Sequence, residues 1–293
     1  MEHDGDAMRV LITGTGGQLA QEFQTRLRTG SHEVSAPPED LLDITDIGAV
    51  KDAFAASCPD VVINCAAYND VDGAEGNYEK AYKVNAIGPK ILAAASREYK
   101  ALLIHYSTDY VFDGSKEGLY TEDDVPCPVN RYGESKRAGE VFVAEEAGQH
   151  LIFRTSWLYG DGSQNFLHKL KEWAGKQRVL KVVADQVSVP TYTADAVSAT
   201  LEACEKGLRG LYHLTNSGYA TRYEVARYFL AKIGSTSIVL PVNTSLFPSP
   251  AQRPYFSAMS GAKLASVVGH EMPNWKDAID RYVSKSISSE TAM

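Results

Sequence analysis

The 293-residue chain has the composition of an ordinary globular protein, with 44% hydrophobic and 23% charged residues, so neither a disordered nor a fibrous protein is expected. Its 29 basic and 37 acidic residues give a net charge of −8 without a block of like charge, which argues against a surface for nucleic acid or anionic membranes. No apolar run reaches the roughly 18 residues of a membrane-spanning helix, and Met1–Ala7 lacks the apolar core of a signal peptide.

The cysteines are spread along the chain and form no C-x-x-C pair. They are Cys58, Cys65, Cys127 and Cys204. This spacing predicts neither a disulfide framework nor a metal site. We therefore expect a cytoplasmic protein, and we predict no metal-ligating residues.

Short β-branched apolar runs alternate with segments of helical periodicity in the first half of the chain, which is typical of βαβ units around a parallel sheet. The predicted strands are Arg9–Thr13, Val61–Cys65, Ala101–Ser107 and Leu151–Thr155. The predicted helices are Gln18–Arg28, Ile47–Ser57, Glu79–Glu98 and Tyr132–Ala147. The strands are almost continuously apolar, as expected when both faces of a sheet are covered. The fold class is therefore α/β.

The regular alternation weakens after Gly160, where several prolines accumulate, and this favours a smaller appended substrate domain with long connections. The helices predicted at Tyr192–Glu205 and Tyr223–Ile233 flank a predicted strand, Leu211–Thr215. Because either could return to the first sheet, we expect a discontinuous domain boundary.

A glycine-rich turn, T-G-T-G-G-Q-L-A, joins the first predicted strand to the first helix. In a dinucleotide-binding turn Gly14 would allow the sharp bend, Gly17 would let backbone N–H groups approach a pyrophosphate, and Ala20 would allow close packing of helix and strand. The alternative is a strand-to-helix turn that uses glycine only for its positive φ. The position of this turn directly after the first predicted strand favours the dinucleotide-binding interpretation.

The choice between NADH and NADPH depends on the segment around Val34–Asp40, where the second strand of a dinucleotide-binding sheet would follow the first predicted helix. Val34–Asp40 contains no Arg or Lys that could bind a 2′-phosphate, and Asp40 or Asp43 could face the ribose or the adenine. An acid in this region favours NADH. Both cofactors remain candidates, because Pro38 leaves no certain acid at the end of the strand.

Tyr132 and Lys136 lie four residues apart, which on a helix places them on one face. A neighbouring ammonium lowers the pKa of a phenol and makes it a useful proton donor to a carbonyl. Thr108 ends a predicted strand and could polarise the same carbonyl, because ligands bind at the carboxyl edge of such sheets. The alternative for the Tyr/Lys pair is a solvated helix face.

Longer motifs surround these residues: N-C-A-A-Y at Asn64–Tyr68, V-N-A at Val84–Ala86, H-Y-S-T-D-Y-V-F at His105–Phe112, Y-G-x-S-K at Tyr132–Lys136, F-R-T-S-W-L-Y-G at Phe153–Gly160 and R-P at Arg253–Pro254. With these motifs and the turn, the chain from Met8 to about Ser284 resembles the extended short-chain dehydrogenase/reductases, and within them the dTDP-4-dehydrorhamnose reductases. Ala20 departs from that pattern, which usually has a third glycine there.

The resemblance implies a Rossmann-type, doubly wound parallel sheet and NAD(P)H-dependent reduction of the C4 carbonyl of dTDP-4-dehydro-β-L-rhamnose to dTDP-L-rhamnose, for cell-surface polysaccharide. It implies Thr108, Tyr132 and Lys136 as catalytic residues. The cofactor-binding residues that it implies are Gly14, Gly17, Gln18, Leu19, Asp43, Ile44, Ala66, Ala67, Tyr68, Asn85, Tyr132 and Lys136. The substrate-binding residues that it implies are Thr108, Asp109, Trp157, Asn165 and Arg253.

Three of these residues also have structural interpretations. Asn85 could orient Lys136 or hold a water, or only bond to helix backbone. Trp157 could line the sugar or base pocket, or belong to the core. Arg253 could bind the nucleotide diphosphate or make a surface ion pair.

The predicted NAD(P)-binding domain is 8–158 plus about 188–216, and the nucleotide-sugar-binding domain is about 159–187 and 217–285. The expected partner is a dTDP-sugar, without nucleic acid or membrane, and a homodimer is our working expectation for the assembly. The alternative functions are another nucleotide-sugar 4-ketoreductase or epimerase, and a non-catalytic regulatory dinucleotide-binding subunit. An intact Tyr132 and Lys136 argue against the last.

Overall fold

The structure is a computed structural model that describes residues 7–291, with side chains as far as Ser286. The first six residues, within the segment where no signal peptide is predicted, lie outside the described residues. Within the described residues, no helix is both long enough and apolar enough to cross a membrane.

The strands are β1 (Arg9–Thr13), β2 (Glu33–Ser35), β3 (Val61–Asn64), β4 (Leu102–Thr108), β5 (Gln149–Thr155), β6 (Leu158–Tyr159), β7 (Val179–Val183), β8 (Val187–Ser188), β9 (Thr191–Tyr192), β10 (Gly210–His213), β11 (Ala220–Thr221) and β12 (Ile238–Val242). The α-helices are α1 (Gln18–Leu27), α2 (Ile47–Ser57), α3 (Val71–Gly76), α4 (Tyr78–Tyr82), α5 (Gly88–Tyr99), α6 (Arg131–Glu146), α7 (Phe166–Lys176), α8 (Thr193–Glu205), α9 (Arg222–Lys232), α10 (Ala262–Val268) and α11 (Trp275–Thr291). The predicted strands and helices agree with these bounds within about two residues, apart from one helix.

The main sheet has six strands in the order β10-β5-β4-β3-β1-β2. Strand β1 pairs in parallel with both β2 and β3, and β3 pairs in parallel with β4. The chain therefore leaves β1 toward β2 and then crosses to β3 on the other side of β1. Such a switch point opens a crevice at the carboxyl ends of the two strands, where α/β sheets bind ligands. The predicted α/β, doubly wound fold class is confirmed.

The prediction of one continuous helix over Glu79–Glu98 is wrong. The segment divides into α4, a π-helical turn at Lys83–Ile87, and α5. The wider turn carries the buried Asn85, whose side chain bonds to the backbone of Tyr68 and to Ser135. Pro89 lies in the first turn of α5, where its missing N–H costs no helical hydrogen bond.

The chain folds as two compact units. Among the described residues, the first unit comprises 7–108, 130–153 and 207–211, and the second comprises 109–129, 154–206 and 212–291. Segments 109–129, 154–158, 188–206 and 212–216, which the sequence analysis assigns to the NAD(P)-binding domain, group with the second unit. Contacts of two carboxylates within this unit accompany the grouping: Asp109 accepts hydrogen bonds from Ser188 and Ser257, and Asp195 pairs with Arg281 at 2.7 Å.

The second unit has its own apolar core. Its two-stranded sheets are β11-β8, β12-β7 and β6-β9. The rings of Tyr159 and Tyr192 stack with centroids 5.5 Å apart, and the ring of Tyr282 meets both edge-on. Side chains from α7, α9 and α11 complete this cluster. The unit therefore has a core of its own, built around stacked aromatic rings.

Gly139 lets α6 pack closely against the π-helical turn, because a Cβ there would collide with the carbonyl oxygen of Asn85. We expect Gly139→Ala to lower the free energy of unfolding by at least about 2 kcal/mol, since backbone atoms cannot yield as a flexible side chain can. Gly175→Ala is the matched control in α7, where a Cβ would meet nothing within 4 Å. It should stabilise the protein by about 0.5 kcal/mol. Urea unfolding of both variants measures the two effects, and equal stabilities would contradict this packing argument.

Candidate active site

The turn after β1 has the geometry of a cradle for an anion. Gly14 has a φ of +66°, and a Cβ there would lie 2.5 Å from the backbone nitrogen of Ala66, so only glycine fits. A Cβ on Gly16 would meet nothing within 4 Å. Helix α1 begins after Gly17 without a side-chain cap and has no acidic residue in its first turn. Open space and a positive helix end at the switch point suit a pyrophosphate, so the residues present fit a dinucleotide.

Asn64, at the carboxyl end of β3, bonds to the end of β1, to the segment after β3 and to a residue within β4. Its Oδ1 accepts hydrogen bonds from Thr13 Oγ1 at 2.7 Å and from the N–H of Ala66 at 3.2 Å. Its Nδ2 lies 3.0 Å from Nδ1 of His105 in β4 and can only donate. Burial, together with the nearby Lys136, holds the pKa of His105 well below its usual value. The ring is therefore neutral and accepts at Nδ1, which is a structural role.

The residues predicted to face the adenosine lie after β2. Asp43 accepts hydrogen bonds from the N–H and hydroxyl of Thr45, and these bonds lower the pKa of its carboxyl. Ile44 is buried in the core of the first unit. A neighbouring cavity of about 550 Å³ is lined by Ser35, Pro37, Asp40, Leu41, Asp46, Gly48, Ala49, Asp52, Ala53 and Ala56. Its charged lining residues are all acidic, which makes it a poor environment for a 2′-phosphate.

Asn85 makes structural hydrogen bonds in the first unit. Its Oδ1 accepts from the N–H of Tyr68 at 2.8 Å, and its Nδ2 donates to the carbonyl of Tyr68 at 3.0 Å and to Oγ of Ser135 at 2.9 Å. The amide thereby fixes the chain after β3 to the middle of α6. Its hydrogen bonds position the segments that carry Ala66, Tyr68 and Lys136.

Helix α6 carries the Tyr/Lys pair on its buried side. Asn130 caps the helix by accepting from the N–H of Gly133 at 2.8 Å, which fixes where the first turn begins. Tyr132 and Lys136 are then one turn apart, and both are buried. The buried pair is not the solvated helix face that the sequence left as an alternative.

Lys136 brings an ammonium into the interior of the first unit. Its Nζ donates a 2.6 Å hydrogen bond to the carbonyl of Tyr106, which lies in β4 two residues before Thr108. Burial lowers the pKa of Lys136 to about 8, although the carboxylate of Glu140 favours its charged form. Burial also raises the pKa of the Cys65 thiol far above its usual range. At neutral pH the thiol is therefore uncharged and Lys136 is still mostly cationic.

Thr108 ends β4 at the carboxyl edge of the sheet. The pairing of β4 with β3 ends at His105, opposite Asn64. Thr108 therefore lies three residues beyond the end of that pairing. Its side chain is 6% exposed. The predicted catalytic residues thus all belong to the first unit, on β4 and α6.

Asp109 and Asn165 make well-defined contacts within the second unit. Asp109 is 2% exposed, and its Oδ2 accepts from the hydroxyls of Ser188 at 2.8 Å and Ser257 at 2.6 Å. Asn165 caps α7 through the N–H of His168, and its Nδ2 donates to the carbonyl of Gly160. Both side chains therefore make structural hydrogen bonds within this unit.

Trp157 and Arg253 also belong to the second unit. Trp157 has a φ of +40°, which is rare for a bulky residue, and the guanidinium of Arg222 lies 4.2 Å from its ring centroid. Nη1 of Arg253 donates to Ser249 at 2.6 Å and to the carbonyl of Ala251 at 3.1 Å. Sequence reasoning missed Arg222 because no motif marks it, and it passed over Tyr110 although that residue lies in the S-T-D-Y motif.

Comparisons with known proteins show the family to which the chain belongs. The family model described as the RmlD substrate binding domain matches residues 8–288. The chain belongs to this family. The chain is 38% identical to the dTDP-4-dehydrorhamnose reductase of Mycolicibacterium smegmatis, over 97% of this chain and 88% of that protein. The resemblance inferred from the motifs is thereby confirmed.

Two crystal structures of dTDP-4-dehydrorhamnose reductases match the RmlD-family chain along almost its whole length. The protein from Clostridium acetobutylicum has a TM-score of 0.93 and 38% identity, over 96% of this chain and 100% of that one. The protein from Bacillus anthracis, solved in complex with NADP, has a TM-score of 0.92 and 37% identity, over 95% and 99% of the two chains.

The lowered pKa of Lys136 predicts how stability depends on pH. Between about 8, in the folded protein, and the usual value near 10.4, the unfolded chain binds more protons than the folded one. Stability relative to a Lys136→Met variant should therefore rise with pH, by roughly 2 kcal/mol between pH 7 and pH 10. Urea unfolding of both proteins at several pH values measures this difference. A difference that stays constant over this range would show that the buried amine is not perturbed.

Proposed function

We propose that the protein is an NAD(P)H-dependent oxidoreductase that reduces the C4 carbonyl of dTDP-4-dehydro-β-L-rhamnose to give dTDP-L-rhamnose, in dTDP-rhamnose biosynthesis for cell-surface polysaccharide. The observation that carries the proposal is the buried Lys136, one helical turn from Tyr132. A buried cation costs free energy, and beside a phenol it has a use in proton transfer. The reductases with which the chain shares its family support the choice of substrate.

The first unit is proposed to bind the dinucleotide. Gly14 and Gly17 with the start of α1 would hold the pyrophosphate, because this turn presents backbone N–H groups at the switch point. Asp43, Ala66 and Tyr68 would contact the nucleoside portions. A bound nicotinamide supplies the hydride for carbonyl reduction. Both NADH and NADPH are cofactors of this proposal.

Tyr132 is proposed as the proton donor to the carbonyl oxygen. Reduction places negative charge on that oxygen, and a phenol O–H can neutralise it by donating its proton. Lys136 stabilises the phenolate that remains, because its ammonium is held in place by the carbonyl of Tyr106. The hydroxyl of Thr108 would donate a hydrogen bond to the same oxygen and so fix the orientation of the carbonyl.

The second unit is proposed to bind the nucleotide sugar. Asp109, Trp157, Asn165 and Arg253 all belong to it. An aromatic ring suits a sugar or base, and a planar guanidinium suits a diphosphate. We further propose that the protein acts in the cytoplasm as a homodimer. Its cysteines are all free thiols, which suits a reducing compartment.

Replacing the proton donor tests the mechanism. Tyr132→Phe should lower kcat at least about a hundredfold, because the ring is kept and only the acidic O–H is lost. Tyr99→Phe is the matched control: this phenol ends α5, is 37% exposed and packs its ring against Phe54. NADH oxidation with freshly prepared dTDP-4-dehydro-L-rhamnose, with identification of the product, is the measurement. A fully active Tyr132→Phe variant would exclude Tyr132 as the proton donor. A wild type that binds NADH but does not oxidise it would favour a regulatory subunit or another keto-sugar substrate, and turnover without net oxidation of NADH would favour an epimerase.

Cofactor preference provides a separate test. We expect kcat/KM to be about three- to tenfold higher for NADH than for NADPH, because the carboxylates near β2 repel a 2′-phosphate. Ser35→Arg adds a cation at the end of β2 and should raise kcat/KM for NADPH about tenfold. Steady-state kinetics with both cofactors measures this. A wild type that prefers NADPH, or a variant that does not respond, would contradict the proposal that the acidic residues near β2 disfavour a 2′-phosphate.

A further inference from the structure

Arg222 in the second unit is held between two aromatic rings. Its guanidinium lies 4.2 Å from the ring centroid of Trp157 and 5.2 Å from that of Phe166, and the side chain is half-buried. Arg222 opens α9, but Thr221 and Glu224 close that helix end with reciprocal hydrogen bonds. The group that could bind a ligand at this end of α9 is therefore the guanidinium of Arg222 and not the helix N-terminus.

A second guanidinium, that of Arg253, repels Arg222. The guanidinium of Arg222 also bonds to the hydroxyl of Tyr110 and is attracted by Asp109. Oδ2 of Asp109 already accepts two serine hydroxyls. A bound dianion would relieve the repulsion between the arginines.

The backbone of Trp157 supports this interpretation. A left-handed φ of +40° is strained for a tryptophan, and such strain persists where a fixed ring position is needed. The ring holds the planar guanidinium in one orientation. Little side-chain entropy then remains to be lost when the guanidinium bonds to an anion in bidentate fashion.

We propose that Arg222 is a specificity-determining residue that binds the diphosphate of the nucleotide sugar together with Arg253. This inference rests on the proposed function, because it takes the nucleotide-sugar substrate as given. It assigns to α9 a role that the motifs do not suggest. The ligand class is a nucleoside diphosphate, since two adjacent guanidiniums match two linked phosphates better than one.

The test measures binding without turnover, by calorimetry with dTDP, thymidine and NADH. Arg222→Met removes the charge but keeps a flexible apolar chain against Trp157 and Phe166. We expect it to weaken dTDP binding about ten- to hundredfold while leaving NADH binding within about twofold. Thymidine binding should also stay within about twofold. Arg227→Met is the matched control, because Arg227 is exposed on the same helix and stacks on Tyr223 at 5.7 Å; it should bind all three ligands as the wild type does.

Arg222→Lys keeps the charge and loses the planar fork, so it should weaken dTDP binding at least about threefold, and it decides the test if Arg222→Met does not fold. Unchanged dTDP affinity in a folded Arg222 variant would overturn the inference. An equal loss of thymidine affinity would also overturn it, as the mark of a general packing defect. NADH affinity that falls in step with that of dTDP would assign Arg222 to the dinucleotide instead. If the wild type binds dTDP through Arg222 but does not reduce the keto-sugar, the proposed function fails and this inference stands.

Discussion

Lys136 carries a positive charge into the first unit, where only 2% of its surface is exposed, and the site is built around holding it there. Its hydrogen bond to the carbonyl of Tyr106 requires α6 to lie against β4. Gly139 lets the same helix pack against the π-helical turn, because a side chain there would collide with that turn. The same turn carries Asn85, which fixes the chain after β3 to α6. Gly139, the π-helical turn and the buried Asn85 thus all contribute to the position of the helix that carries Lys136.

The second constraint is the order of the strands. Because the chain switches sides between β2 and β3, the ends of β1 and β3 open on one crevice. Gly14 approaches Ala66 more closely than any side chain would permit, and Asn64 bonds to Thr13 and His105 on either side. The turn and the ends of the strands therefore form a rigid support for a dinucleotide. This rigidity favours binding, because little order remains to be imposed.

Sequence reasoning found the features that depend on local pattern. The bounds of β1 and α2 agree with their predictions because apolar periodicity and capping residues act over a few positions. The π-helical turn was missed because it depends on contacts of Asn85 with residues 17 and 50 positions away. The grouping of 109–129 with the second unit depends on Asp109 and its distant serine partners. Arg222 had no motif, because the rings that define its position come from two other segments.

The account is tested most directly by following the hydride itself. NADH deuterated at C4 of the nicotinamide, in the 4R or the 4S form, is incubated with the protein and dTDP-4-dehydro-L-rhamnose, and the product is analysed by NMR and mass spectrometry. The account predicts that one of the two forms transfers its deuterium to C4 of the sugar, with one NADH oxidised for each dTDP-L-rhamnose formed. Product without deuterium at C4 from either form, or conversion of the sugar without net oxidation of NADH, would contradict it.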